Sequence, residues 1–383
     1  MGKFIFWFSI IILGYTYFGY YLLLNVLARI FSNRDKVIFK EAYYPQTTTI
    51  IIPAYNEEDV IEQRIQNLIE LDYPKDKLEI VIASDGSNDR TVEIARQYKE
   101  RGITALDFKQ NRGRADVHND SVKIASGEIV VFTDADTLFE KDFINKIVMP
   151  FSDPRVGCTV GQLIYKPKGT SISEAESRYY NKWEFNLKEL ESILGILANG
   201  TGACMAIRKE LFRPLTPIDD VDTATVVDMA LKGFRTVFVK DAIAYDLPPS
   251  SVKSELSYRI RGTSKTIMSL ARRTNFRGWL KNPILGWSIL SHRVFRYCIP
   301  YFMIVAAISN MFLLEKGILY QITFAIQSVF YVLLFVGWLG EHIRKRVPIA
   351  SAIFSFGVAM FGMAIGVAKG ITGRAPTAYK MED

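Results

Sequence analysis

A chain of 383 residues can supply one large domain or two ordinary ones, and a hydrophobic share of 49% is ample for a core. The net charge of +7 implies no nucleic-acid partner, because basic residues flanking apolar stretches account for much of it; membrane lipids with anionic headgroups are the counter-surface they suit. Three widely spaced cysteines, Cys158, Cys204 and Cys298, suggest neither a disulfide framework nor a zinc site and fit a reducing cytoplasm.

In chain order, the first element is Phe4 to Phe31, free of charge until Arg29, rich in Ile, Leu, Phe and Tyr, and suited to a bilayer span. It is too long for a signal-peptide core and no small-residue cleavage site follows it, so residues 1–40 read as a retained transmembrane anchor, with a buried soluble helix as the alternative. From Thr47 short β-rich runs alternate with helix-length amphipathic ones. TTTIIIPA opens the series; a helix over Glu57 to Leu71, the strand LEIVIAS, a helix after Asp89, a strand near Ile103 to Phe108 and a helix over Ala115 to Ala125 follow, and EIVVFTDADT is the fourth strand. This is an open α/β pattern, in which ligands bind beyond the carboxyl ends of the strands. Three polar loops fall at those ends: Tyr55, Asn56 and Glu57; Asp85 to Asp89; and Asp134 to Asp136. Strand periodicity puts Asp134 and Asp136 on one side of an extended segment, as two hard oxygen donors that can share Mg²⁺ or Mn²⁺ and the phosphates it carries. An acidic turn at a strand end is the simpler explanation of that pair taken alone.

Further on, NGTGACMAIR at Asn199 to Arg208 holds glycines that permit close backbone approach, and Trp183, Glu184 and Glu189 before it could contact an acceptor or merely pack. The acidic stretch DDVDTATVVD at Asp219 to Asp228 precedes a turn at Gly233, a strand to Ala242 and a helix from Ser251 to Arg273. Carboxylates at a helix N-terminus offset exposed N–H groups, which would explain the acidic cluster without catalysis. Residues 276–298 interleave Trp279, Trp287, Phe295 and Tyr297 with Arg277, Lys281, His292, Arg293 and Arg296, the mark of an interfacial segment feeding a span. Residues 299–370 carry three apolar stretches, Ile299 to Leu314, Ile318 to Leu339 and Ile349 to Ala368; the last, with Gly357, Gly362 and Gly366, either spans or re-enters. A tail, 371–383, follows. Arg29, Arg34, Lys36 and Lys40 after the first span, and Arg344, Lys345 and Arg346 between the last two, would be held in the cytoplasm, placing residues 41–275 there in a multi-pass protein of the cell membrane.

PAYNEE at Pro53 to Glu58, SDGSNDRT at Ser84 to Thr91, NRGRADVHND at Asn111 to Asp120, and DADT resemble, in type, order and spacing, the nucleotide-sugar motifs of the inverting family 2 glycosyltransferases of the GT-A fold. The resemblance covers roughly residues 47 to 265. It implies a GT-A, Rossmann-like cytosolic domain with flanking transmembrane and interfacial helices, moving a sugar from a UDP-sugar donor to a glycan or lipid-linked acceptor with Mg²⁺ or Mn²⁺. Tyr55, Asn56 and Glu57 would line the nucleotide pocket, Asp85 would accept from the base, Arg114 would stand near the diphosphate, Asp136 would hold the metal with Asp134 beside it, and Gly202 would leave room for the acceptor. Asp222, eleven residues before Gly233, would be the general base, with Asp220 the alternative. Packed tyrosine, turn-forming Asp-Gly and solvated arginine remain the bland readings. YRIRG at Tyr258 to Gly262 stands where processive polysaccharide synthases carry Gln-x-x-Arg-Trp; only Arg261, which would bind the leaving diphosphate, matches, a departure from cellulose-like or chitin-like processivity. Arg259, Arg261, Lys265, Arg272 and Arg273 could alternatively form a membrane-facing basic face. A polyprenyl-phosphate glycosyltransferase adding a single sugar and a non-catalytic membrane nucleotide-binding scaffold are the other readings.

Overall fold

Isoleucines 50, 51 and 52 are all fully buried, so both faces of the first strand are covered, as a continuous apolar run demands of a central parallel strand. The computed structural model describes residues 1–31, 46–167, 169–274, 282–343, 345 and 347–374. Arg34, Lys36, Lys40, Arg344, Arg346, the segment with Arg277, Trp279 and Lys281, and the tail from 375 lie outside the described residues.

The strands are β1 Thr48–Ala54, β2 Leu78–Asp85, β3 Ile103–Phe108, β4 Ile129–Phe132, β5 Leu138–Phe139, β6 Val156–Tyr165, β7 Met205–Arg208 and β8 Arg235–Asp246. They form one sheet in the order β3-β2-β1-β4-β7-β6-β8-β5. β1 pairs parallel with β2 on one side and β4 on the other, Ile50 opposite both Ile80 and Val131. The chain thus turns outward in both directions from β1, and the crevice beyond its carboxyl end is where such sheets take ligands. β7 runs antiparallel to both β4 and β6. Alternate residues sort to opposite layers: Ile50, Ile52 and Val131 pack with Ile61, Ile65 and Leu68, whereas Ile51, Val130 and Phe132 pack with Val122, Val226 and Met229.

Helices in chain order are α1 Gly2–Phe31, α2 Ile61–Ile69, α3 Thr91–Gln97, α4 Arg114–Ile124, α5 Phe143–Val148, α6 Ser171–Arg178, α7 Phe185–Ile193, α8 Val221–Leu231, α9 Val252–Arg273, α10 Pro283–Met311, α11 Ile318–His342 and α12 Pro348–Ile371. Among the described residues, α1, α10, α11 and α12 are long and apolar enough to cross a membrane. Two expectations change. The span after the interfacial segment begins at Pro283, because the described part of that segment continues as helix through a π-type turn at Leu290–Val294. Its His292 and Arg296 turn inward to Glu184, at 3.4 and 2.9 Å, instead of toward headgroups. The last apolar stretch is one unbroken helix of spanning length.

α9 starts at a capping box, Ser251 and Ser254 exchanging side-chain and main-chain hydrogen bonds. It then packs along α12 through glycines at i, i+4 and i+8. A Cβ built on Gly362 would lie 2.8 Å from the Cβ of Arg259, one on Gly366 2.7 Å from that of Thr263, and one on Gly370 3.0 Å from that of Ile267. Small residues let two helices approach this closely in a bilayer. Gly366→Val is therefore expected to cost about 1–3 kcal/mol by overpacking, read as a lowered melting temperature in detergent; an unchanged melting temperature would contradict the seam.

Candidate active site

The four motif loops meet at the carboxyl ends of β1, β2 and β4. Asn56 adopts a left-handed backbone, φ 54°, the only such residue other than glycine among the described residues. Asparagine tolerates that conformation better than most residues, and here it stitches two loops: its N–H donates to Ser87 Oγ (3.1 Å) and its Oδ1 accepts from the N–H of Asn88 (2.9 Å). Glu57 N–H donates to Thr91 Oγ1 (2.8 Å). Tyr55 is half-buried beside them, its ring at the end of the central strand. Asp85 is buried, and its two oxygens accept from the N–H groups of Arg112 (2.9 Å) and Gly113 (2.8 Å). Its visible task is to hold the Asn111–Gly113 loop; acceptance from a base would have to use the remaining lone pairs.

β4 ends at Phe132, and the next residues carry the acids outward. Asp136 is exposed and Asp134 half-buried. Asp134 is ion-paired with Arg114, whose Nε donates to His118 Nε2 at 3.2 Å. His118 is fully buried, and burial with the Arg114 charge holds its pKa well below the usual value, so it accepts as a neutral ring and orients the guanidinium. Burial raises the Asp134 carboxyl; Arg114 opposes that, Asp136 and Asp222 add to it, and Arg261 opposes it again. Asp222 and Arg261 thus both lie within electrostatic reach of Asp134.

Asp222 lies in the first turn of α8. A Cβ on Gly202 would collide with Asp222 Oδ1 and sit 3.4 Å from an Arg114 nitrogen, so Gly202, Asp222 and Arg114 share one small space. The N–H of Gly200 donates to the Asp222 carbonyl at 3.0 Å, fixing the glycine loop against the helix. Gly202→Ala is expected to lower transfer by ~10²-fold, the scale of a misplacement of about 1 Å, with the fold kept; initial rates beside a melting curve would check it.

The alternative base, Asp220, is the N-cap of α8, and its Oδ2 accepts from Thr223 Oγ1 (2.7 Å) and Thr266 Oγ1 (3.3 Å). Burial, then Asp222, pushes its carboxyl up to about 6. Asp219 takes a buried ion pair from Arg273 (2.5 Å), which also pairs with Asp228. Asp219 is thus engaged by Arg273 and Asp220 by two threonine hydroxyls, whereas Asp222 Oδ1 borders the space beside Gly202. The proposed membrane-facing basic face also dissolves: Arg273 is buried in those pairs, and Arg259 is held between Glu176 and Glu255 (2.7 Å to the latter). On the other side of α9, burial lowers the Lys265 pKa; Asp220 opposes this, and Arg261 and Arg114 add to it, so three cations gather above the acids.

Three residues were not singled out from the sequence. Asp246 ends β8, four residues beyond the strand end read from the pattern, and burial followed by Asp136 and Asp134 pushes its carboxyl up to about 8. Glu57, already a candidate, belongs to the same acidic group: burial, then Asp136, Asp134 and Asp89, push it up to about 7. Arg64 is fully buried in α2 beneath them, donating to Asn67 Oδ1 (2.7 Å) and Thr133 Oγ1 (2.9 Å) with its guanidinium 4.2 Å above the Phe139 ring. Burial lowers it to about 9, while Asp134, Asp136 and Asp246 counteract the fall. The third is His118, inside a motif yet unassigned.

Among the described residues no group of three or more His, Cys, Asp or Glu side chains could cage a metal. What the strand end offers is exposed Asp136 with Asp134 beside it. That donor set fits an ion which keeps waters and takes one or two carboxylates together with substrate phosphates, the habit of Mg²⁺ and of Mn²⁺ in oxygen sites.

Behind the site, Lys188 donates to Thr201 Oγ1 (2.5 Å) and Asn199 donates to Glu184 Oε1 (2.8 Å), which ties the glycine loop to the residues that hold α10. Glu184 is buried, yet His292 and Arg296 hold its carboxyl well below the usual range. Its role is packing and anchoring rather than exposure to an acceptor.

The profile of the family described as Glycosyl transferase family 2 matches residues 49–216. Over 219 residues the chain is 27% identical to the poly-beta-1,6-N-acetyl-D-glucosamine synthase of Staphylococcus aureus strain MSSA476, covering 56% of this chain and 53% of that protein. The Staphylococcus epidermidis protein of the same name is 24% identical over 235 residues, 60% of this chain and 57% of that one. The chain spans about half the length of the curated relatives it matches. Among solved structures, the mannosyltransferase PcManGT from Pyrobaculum calidifontis, in complex with GDP-Man and Mn²⁺, superposes with a TM-score of 0.72 at 22% identity, covering 98% of this chain and 100% of that one. The fold is therefore the expected GT-A open sheet, and the likeness extends over the four long apolar helices as well as the sheet.

Proposed function

We propose, for a chain whose residues 49–216 match the glycosyl transferase family 2 profile, that it transfers a sugar with inversion from a UDP-sugar to a membrane-associated glycan or lipid-linked acceptor, in extracellular polysaccharide synthesis. The observation that carries this reading is the meeting of Asp222 with Gly202 and Arg114 beside the Asp134–Asp136 strand end. An inverting displacement needs a base on the side of the sugar opposite the leaving diphosphate. Asp222 would take the acceptor hydroxyl's proton in the space that Gly202 leaves open. Arg114, Arg261 and Lys265 would receive the diphosphate, with guanidinium geometry matched to phosphate oxygens. Tyr55 would offer the nucleotide base a stacking face, and Asp85 fixes the Asn111–Gly113 loop. Asp136, with Asp134 nearby, would hold Mg²⁺ or Mn²⁺, which when bound supplies positive charge to the departing diphosphate. Four helices able to span the bilayer support a multi-pass protein of the cell membrane, with the transferase domain in the cytoplasm where nucleotide sugars are held.

The test offers the purified full chain, in lipid nanodiscs, a panel of UDP-hexoses, UDP-N-acetylhexosamines and GDP-mannose with Mg²⁺ or Mn²⁺. Nucleoside diphosphate release and product mass are followed. Consumption of a UDP-sugar with a mass gain of one or more sugar units on a membrane acceptor is expected. Preference for GDP-mannose would overturn the donor assignment, and no consumption of any donor with either metal would overturn the transferase reading.

A further inference from the structure

Arg64 sits in the apolar stripe of α2 with Ile61, Ile65 and Leu68, fully buried. Its hydrogen-bond partners are neutral, Asn67 Oδ1 for Nη1 and Thr133 Oγ1 for Nη2, and its Nε has no partner among the described residues. The acids Asp134, Asp136 and Asp246 offset its charge only through space. A buried guanidinium with one N–H unsatisfied costs more than an apolar side chain in the same stripe would. Stability alone is a poor reason for an arginine here.

The partners supply a better one. Thr133 and Phe139 bound the segment that carries Asp134 and Asp136. At its start the Thr133 N–H donates to the Ile51 carbonyl (3.3 Å), and the Thr133 hydroxyl accepts from Arg64 at 2.9 Å. At its end Asn67, which Arg64 holds at 2.7 Å, grips the main chain of Phe139 twice: Oδ1 accepts from the N–H (2.9 Å) and Nδ2 donates to the carbonyl (2.8 Å). The guanidinium also lies 4.2 Å above the Phe139 ring, which stacks on Phe143 with centroids 3.8 Å apart. Between the two ends, buried Ala135 and Thr137 alternate with half-buried Asp134 and exposed Asp136. The far end reaches a second segment, because Leu138 and Phe139 pair with Tyr245 and Ala244 of β8, the strand that ends at Asp246. One planar fork therefore spans both ends of the acid-bearing segment. A lysine, with a single nitrogen, has no such fork.

We infer that Arg64, acting with Asn67, is a positioning residue for Asp136: it fixes both ends of the Thr133–Phe139 segment and so sets where the carboxylate meets a divalent cation. Being fully buried, Arg64 touches neither cation nor diphosphate. The inference rests on the metal role proposed above for Asp136 and names what holds that carboxylate in place.

The test measures Mn²⁺ binding without turnover. Loss of the free-ion signal in electron paramagnetic resonance is followed on the full chain in lipid nanodiscs with UDP, and again with GDP, over protein-free controls and beside melting curves. Thr133→Val is expected to weaken Mn²⁺ binding by ~10–100-fold, the range for removing a partner that orients a metal ligand. Thr133→Ser, which keeps the hydroxyl, should stay within a few-fold of the unsubstituted chain. Arg64→Lys keeps the charge without the fork and should fall with Thr133→Val. A bond that served the fold alone would lower the melting temperature and leave Mn²⁺ binding by the folded protein as it was. Unchanged binding in Thr133→Val therefore overturns the inference, as does unchanged binding in Arg64→Lys, which would make charge rather than geometry the contribution. Should Arg64→Lys fail to fold, the valine and serine variants at position 133 decide. Mn²⁺ binding that is absent from the unsubstituted chain with either nucleotide, or unaffected by Asp136→Asn, fails the metal reading itself and this inference with it.

Discussion

Asp222→Asn is expected to lower sugar transfer by ~10²–10⁴-fold, the range a positioned general base contributes, with little change in the apparent affinity for the nucleotide sugar. The amide keeps the size of the side chain and its place against Gly202 while removing the proton acceptor. Asp220→Asn makes the contrast. Its carboxylate already accepts hydroxyl hydrogen bonds from Thr223 and Thr266 at the start of α8, so the loss should fall on stability, about 1 kcal/mol as for a weakened hydrogen bond, with rates within a few-fold. Initial rates at saturating donor, set beside melting curves, separate the two. Retention of more than a tenth of the activity by Asp222→Asn would take the base role from it.

Asp136→Asn is the second large effect. The residue is exposed, so little packing is lost, but an amide is a poor ligand for a hard divalent ion and a neutral one. Loss of ~10³-fold in rate is expected, since a metal at a leaving group is worth several kcal/mol and each 1.36 kcal/mol is tenfold. The midpoint of activation by Mn²⁺ should rise in the same variant. Glu57 and Asp246 both have carboxyls raised in part by the charge of Asp136, so its removal should let both titrate lower. That shift, followed by the pH dependence of Mn²⁺ binding, is a readout independent of turnover; an unchanged metal midpoint would show that Asp136 is not a ligand.

The sheet and its loops were legible because each strand ends where its apolar run ends. β3 spans the residues read from the pattern, and the helix read over Ala115 to Ala125 is α4, one residue earlier. The helix after β1 starts at Ile61 instead of Glu57, because the intervening residues are taken up by loop-to-loop hydrogen bonds that no periodicity reveals. Asp246 lies four residues past the strand end at Ala242 that the pattern suggests, although DAIAYD repeats the theme of an apolar strand stopping at a carboxylate. Arg64 had a signal as well. It shares a helical face with Ile61, Ile65 and Leu68, and a cation in the apolar stripe of a short helix must be buried against something negative. The inward turn of His292 and Arg296 had no comparable signal, since a basic and aromatic segment beside a span looks the same whether its charges meet lipid or Glu184.

On the proposed transferase reading, the glycine seam between α9 and α12 would set where in space the reaction occurs. One side of α9 is locked to a membrane helix, and the other presents Arg261 and Lys265 to the acids. The height of the proposed diphosphate site above a bilayer would thereby be a property of one helix pair, independent of any tether length. An acceptor lying in the membrane needs to search only two dimensions to reach a site held at a constant depth. Detaching α12 would strip the packing from one face of α9, so the proposed catalytic centre and the apolar helices would act as one mechanical unit rather than an enzyme on an anchor.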